Sequence, residues 1–170
     1  MYAKHFFMKG LDIMAKIASG NWNELPWRDS PRKFVDGVSK LKQCVFGFEC
    51  ENLLCTICEI QNGSPKGPHT HPHEQIAIVL QGECDYYVDG VPYHLTAGSW
   101  VNVPPHVVHY VDVHDSPVPV LQMDVFSPGR PSTSDVYKEF LAQNGIDWDA
   151  RVTEMEDLDA PNAEGLEVRA

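Results

Sequence analysis

The sequence predicts an all-β protein, folded as an antiparallel sandwich or barrel. Short runs of β-branched and aromatic residues recur between residues 38 and 126, and turn-forming residues separate them at close intervals. A length of 170 residues suits one compact domain. The first run, Val38 to Phe48, alternates imperfectly, and Leu53 to Ile60 follows it. Asn62-Gly63-Ser64-Pro65-Lys66-Gly67-Pro68 is a strong loop signal. Further runs cover Gln75 to Gln81, Cys84 to Val88, Val91 to Leu95, Trp100 to Val103, Val107 to Val113 and Val118 to Phe126. Asp89-Gly90 reads as a hairpin turn, and Gly82, Gly98 and Pro104-Pro105 mark the remaining breaks.

The two ends differ from this middle. Residues 1–37 read as an N-terminal arm anchored by Trp22, Leu25, Pro26 and Trp27, and residues 38–130 as the barrel. Residues 131–150 read as a short helical segment, with Ser134-Asp135 capping a helix that runs to Ala142 or Gln143 and stops at Asn144-Gly145. Residues 151–170 read as an acidic tail, poor in large apolar groups and loosely held.

Thirteen Lys and Arg against twenty-four Asp and Glu give a formal charge of -11. Such acidity argues against a nucleic-acid interface, which replaces phosphate counterions with a positive surface, and against a polybasic membrane patch. A small anionic ligand remains compatible, because one local arginine or metal ion outweighs a distant acidic surface. No apolar run is long enough to span a bilayer, and Lys4, Lys9, Asp12 and Lys16 interrupt the apolar residues of the N-terminus. A cytoplasmic location is expected. Five cysteines, an odd number, fit a reducing compartment better than a disulfide framework. Cys55 and Cys58 stand three apart in a strand, so they point to opposite faces and pack separately rather than chelate one ion.

Histidine clustering is the strongest chemical signal. Three of the eight histidines fall in His69-Thr70-His71-Pro72-His73. On an extended chain His69 and His71 project from one face, and Gln75 shares that parity if the chain stays extended through Pro72. Glu74 then faces away, whereas a kink at Pro72 would bring it back as a ligand. His109, in the run Val107 to Val113, is a fourth candidate. Imidazoles hold first-row metals, and an amide oxygen can complete such a set. His73 reads as a loop or supporting residue and His106 as a rim residue. His5, His94 and His114 have no identifiable partner in the sequence.

The segment Gly63-x5-His69-x-His71-x3-Gln75-x6-Gly82 resembles the first motif of the cupins, with Gln where Glu is usual. The segment Gly98-x5-Pro104-x-His106-x2-His109 resembles their second motif, with His106 where Gly is frequent and Val113 where Asn is frequent. Together they cover residues 63 to 113. The resemblance is to single-domain members, and it implies a double-stranded β-helix, the jelly-roll barrel, holding one divalent transition metal. Carried over, His69, His71, Gln75 and His109 are its ligands. The metal itself stays open among zinc, nickel, iron, manganese and cobalt. An amide in place of a carboxylate leaves the ion's charge uncompensated, which favours Lewis-acid chemistry on anionic substrates over oxidation.

In the last strand, period two places Gln122, Asp124 and Phe126 on one face, and Ser127-Pro128-Gly129-Arg130 follows. A carboxylate on a core-facing position needs a partner. An Asp124–Arg130 ion pair tying the strand to its turn is one reading of the pattern. The other is functional, with Arg130 as a planar clamp for a substrate carboxylate and Asp124 as a general acid/base. The order Asp-x-Phe-x3-Arg, with His-Pro-His-Glu-Gln, resembles the KdgF cupins of pectin and alginate degradation. That resemblance implies conversion of 4,5-unsaturated uronates to the linear keto form, with Asp124 and Arg130 catalytic and Phe126 and Arg130 binding the sugar. An iron-dependent cupin dioxygenase and a non-enzymatic sugar sensor are the alternatives. A homodimer is expected, because Ile76, Ile78 and Leu80 alternate with Ala77 and Val79 and make the strand apolar on both faces.

Overall fold

The computed structural model describes residues 15–30, 33–34 and 37–155. His5 and the acidic residues 156–170 lie outside them. The strands are β1 (Ala15–Ala18), β2 (Arg28–Asp29), β3 (Lys33–Phe34), β4 (Gly37–Val38), β5 (Leu41–Phe46), β6 (Leu54–Ile60), β7 (Glu74–Gln81), β8 (Glu83–Val88), β9 (Val91–Thr96), β10 (Trp100–Val103), β11 (His109–Asp112), β12 (Val120–Ser127) and β13 (Val152–Met155). One helix, α1 (Pro131–Gln143), follows β12. The six-stranded sheet has the order β10-β7-β12-β6-β5-β2, and the three-stranded sheet the order β11-β8-β9. Every strand pairing in these sheets is antiparallel. The architecture is the jelly-roll barrel expected from the sequence.

Alternation decides which side chains enter the barrel. In β7, Gln75, Ala77 and Val79 are buried, while Glu74, Ile76 and Leu80 are exposed. In β12, Val120, Gln122, Asp124 and Phe126 are buried, and the residues between them are not fully so. Asp89 and Gly90 both have positive φ and form the tight turn between β8 and β9, as the hairpin signal indicates. Gly82 also has positive φ, and a Cβ there would stand 2.7 Å from Ser116 Oγ, so no other residue fits. Cys55 and Cys58 take opposite faces of β6, and only Cys58 joins the barrel core. The cysteines of the described residues are free thiols.

A second core covers the outer face of β5 and β6. Leu25 from the arm packs there with Cys44, Ile57, Tyr137, Leu141 and Trp148, flanked by Trp22 and Trp27. Tyr137 Oη donates to the carbonyl of Pro26 at 2.7 Å, and the Cys44 thiol lies 3.1 Å from the same hydroxyl. The Trp148 indole donates to Glu49. The helix begins at Pro131, three residues before the Ser134 cap read from the sequence, because proline at the first helical position needs no amide hydrogen. Residues Val152–Met155 pair with β1, so the start of the acidic segment is structured. The arm also donates β2 as the outermost strand of the large sheet.

The described residues of the arm do not cover the other half of that sheet. Ile76 and Trp100 on β7 and β10 stay 44% and 65% exposed. His94 and His114 have partners that the sequence did not reveal. His94 lies 3.0 Å from Asp85, and His114 lies 3.8 Å from both Asp112 and Asp115. Among the described residues no helix is long and apolar enough to cross a membrane.

Truncation of fully buried Leu141 tests the second core. Leu141→Ala is expected to cost about 2–5 kcal/mol, seen as a lower urea midpoint with an unchanged slope.

Candidate metal centre

Backbone pairing builds the centre. His69 pairs with His109, the first residue of β11, in an isolated antiparallel bridge, exchanging N–H···O bonds of 3.1 and 3.0 Å. Their rings lie 4.3 Å apart, centroid to centroid, and His71 lies 4.7 Å from His109. The amide of His106 donates to the carbonyl of His71 at 2.8 Å and ties the two motifs together. His106 has φ 64, which explains why glycine is frequent at this place in related motifs.

Each of the three rings is oriented by its own chain. His69 Nδ1 lies 2.8 Å from the Gly67 carbonyl, His71 Nδ1 3.0 Å from that of His73, and His109 Nδ1 2.9 Å from that of Val107. A carbonyl only accepts, so each Nδ1 carries the hydrogen and each Nε2 presents a lone pair. One ring nitrogen from each residue lies within 4.8 Å of the others. Burial holds His109 below its ordinary pKa and keeps it neutral, as a ligand must be. His109 Nε2 is buried without a hydrogen-bond partner.

Gln75 extends the set. Its Nε2 donates to Asp124 Oδ1 at 2.8 Å and to Tyr86 Oη at 3.1 Å, which turns Oε1 toward His71 Nε2 at 2.9 Å. With a neutral His71, this contact faces one lone pair with another. A cation shared by both atoms removes the conflict. These donors, three imidazoles and an amide oxygen, therefore fit a divalent transition metal. The chain bends at Pro72 and His73 rather than staying extended, yet Gln75 is buried and Glu74 exposed, so the bend does not bring Glu74 in as a ligand. His73 points elsewhere and donates to the Pro128 carbonyl at 2.9 Å.

Asp124 is buried beneath this group. Its Oδ1 accepts from Gln122 Nε2 at 2.7 Å as well as from Gln75, and Oδ2 accepts from Thr56 at 3.5 Å. Burial pushes its carboxyl up to about 6, although the amide bonds and the Arg130 charge oppose the rise. Gln122 Oε1 is buried and unpartnered. The rings of Phe126 and His71 pack at 81°, 5.5 Å between centroids, and the Arg130 guanidinium lies over the Phe126 ring, 4.8 Å from its centroid. His69, Gln75, Tyr86, Asp124, Phe126 and Arg130 all border one cavity of about 300 Å³.

The structure thus brings every site residue expected from the sequence to one place. Tyr86 and Thr56 were not foreseen. The alternation of Cys84, Tyr86 and Val88 places Tyr86 inside, but only the fold sets it against Gln75.

Comparison with known proteins agrees with this fold. The cupin domain model matches residues 56–126. An RmlC-like cupin from Shewanella frigidimarina superposes with TM-score 0.58 at 29% identity, covering 71% of this chain and 99% of that one. KdgF from Halomonas sp. superposes with TM-score 0.55 at 23% identity, covering 65% and 94%. The polyketide cyclase RemF from Streptomyces resistomycificus superposes with TM-score 0.55 at 14% identity, covering 66% and 79%. A comparison with curated proteins finds no match.

Metal analysis of purified protein tests the donor set. One equivalent of divalent metal is expected, lost in His71→Ala and His109→Ala. Gln75→Ala should weaken binding about 10–100-fold by calorimetry, because it removes both a donor and the amide that orients it.

Proposed function

This chain is a cupin-fold protein, and we propose that it is a metal-dependent enzyme that transfers protons on a small anionic substrate, an unsaturated uronate. The observation that carries the reading is the buried Asp124 carboxyl. It sits on the inward face between Gln122 and Phe126, hydrogen-bonded to the same amide that faces His71, and it borders the cavity that Arg130 also lines. A structural carboxylate needs no cavity, and a carboxyl held near 6 can both keep and release a proton close to neutrality.

Each side chain then has a part. Arg130 offers its planar fork to the substrate carboxylate, and its packing on Phe126 restrains where that carboxylate lies. Phe126 supplies an apolar wall for the ring. His69, His71, His109 and Gln75 would hold the metal, which when bound supplies Lewis acidity toward substrate oxygens. Asp124 gives its proton to C4 of the C4=C5 enol ether while water adds at C5 and returns a proton to Asp124. The C5 hydroxyl of the resulting hemiketal gives up its proton as the bond from C5 to the ring oxygen breaks, the ring oxygen takes a proton, and the linear keto form results. Gln75 and Gln122 hold Oδ1 in place and leave Oδ2, with its longer contact to Thr56, as the oxygen freer to exchange a proton. KdgF from Halomonas sp. shares this fold, which supports looking first among uronates.

Loss of enol-ether absorbance with an unsaturated galacturonate or its alginate counterpart tests this reading. Metal-loaded protein should exceed the spontaneous rate, Asp124→Asn should lower kcat about 10²–10⁴-fold, and Arg130→Ala should act mainly on KM. No acceleration by fully metallated protein would overturn the uronate reading. Substrate-dependent oxygen uptake by the ferrous protein would replace it with a dioxygenase.

A further inference from the structure

The cavity has a second cationic end. β2 pairs with β5 so that Arg28 stands opposite Gln43, Gln43 opposite Cys58, and Cys58 opposite Gln122. These four residues form one cross-strand row on the inward face, since Gln122 and Cys58 both enter the barrel. Arg28 lines the cavity together with Gln43, Ser39 and Ser64. Arg130 reaches the same cavity from beyond Phe126, four residues along β12 from the row of Arg28. At backbone level that is roughly 13 Å along the strand and roughly 14 Å across three strand spacings. The backbones that carry the two arginines therefore flank the cavity at different ends.

Charge makes this placement informative. The chain carries a formal charge of -11, yet its charged cavity lining comprises Arg28, Arg130 and the buried Asp124. None of the ion pairs among the described residues involves Arg28. Its neighbours on the cavity wall are an amide and hydroxyls, groups that hydrogen-bond an oxyanion and do not neutralise an arginine.

We propose that Arg28 is a second carboxylate contact, so that the cavity takes a dicarboxylate, with one carboxylate at Arg130 and the other at Arg28. The inference deepens the function proposed above and rests on its use of Arg130. Within the uronate class, an unsaturated unit still joined to a second uronate fills both ends, whereas a monomer reaches one; opening the ring of such a dimer leaves a hemiacetal at C1, which collapses to the aldehyde as the bond to the second uronate breaks and the departing oxygen takes the hydroxyl proton. The arm is then part of the binding site and sets specificity by length and charge.

Binding, measured apart from turnover, tests the proposal. Zinc-loaded full-length protein is titrated at fixed ionic strength with adipate, suberate and sebacate, and with caproate, caprylate and caprate as chain-matched monocarboxylates. At least one dicarboxylate should bind about tenfold tighter than its match, the scale of one charge-assisted hydrogen bond. Arg28→Gln should bring that ratio near one and leave monocarboxylate affinity unchanged, Arg28→Lys should restore part of it, and Arg130→Gln should weaken both probes. Absence of any dicarboxylate preference, an unchanged ratio in Arg28→Gln, or loss of both probes in that variant overturns the assignment. Failure of the uronate assay leaves this ratio untouched, so the two proposals fall separately.

Discussion

β12 runs antiparallel between β6 and β7 and hydrogen-bonds to both, and its register sets the chemistry of the barrel. Gln122, Asp124 and Phe126 lie opposite Val79, Ala77 and Gln75 on one side, and opposite Cys58, Thr56 and Leu54 on the other. A slip of one residue would turn all three outward and bring Leu121, Met123 and Val125 inside. The barrel would keep an apolar filling but lose its buried carboxyl. In the observed register Asp124 meets two amide donors and a hydroxyl, which is what makes a carboxyl tolerable there. The same amide of Gln75 that satisfies Asp124 also aims its oxygen at His71. Proton-transfer group and metal donors are thus coupled through one side chain.

Stability and site share their elements as well. The outer face of β5 and β6 is apolar and needs cover, which comes from the arm and from α1. Both segments also border the cavity, the arm through Arg28 and α1 through Ser132 and Thr133 at its start. Leu25 and Tyr137, buried on the outer face, therefore hold in place residues that act on the inner side. The buried hydroxyl of Tyr137 bonds the arm's Pro26 carbonyl directly, so helix and arm dock as a pair.

An acidic protein can still bind anions when its positive groups converge in a cavity of low dielectric, because distant surface charge is screened over about 8–10 Å. Arg28 and Arg130 satisfy that condition, and a metal at the histidines would strengthen it.

Much of this was legible in the sequence because it depends on local periodicity. His69 and His71 share a face by strand parity, Gln122, Asp124 and Phe126 do the same, and the two cysteines of β6 separate for the same reason. Asp89-Gly90 closes its hairpin through backbone freedom that any such pair possesses. Parity, however, says which face a side chain takes and nothing about which strand lies opposite. The pairing of His69 with His109, the contact of Tyr86 with Gln75, the pairing of His94 with Asp85, and the row that carries Arg28 to the cavity all join residues distant in the chain or across a turn. Even the start of α1 escaped local reading, since Pro131 was as compatible with the preceding turn as with a first helical position. The sequence by itself determined the donor types and their faces. Only tertiary structure decided their convergence, because strand order and register arise from burying two cores at once and are written in no single segment.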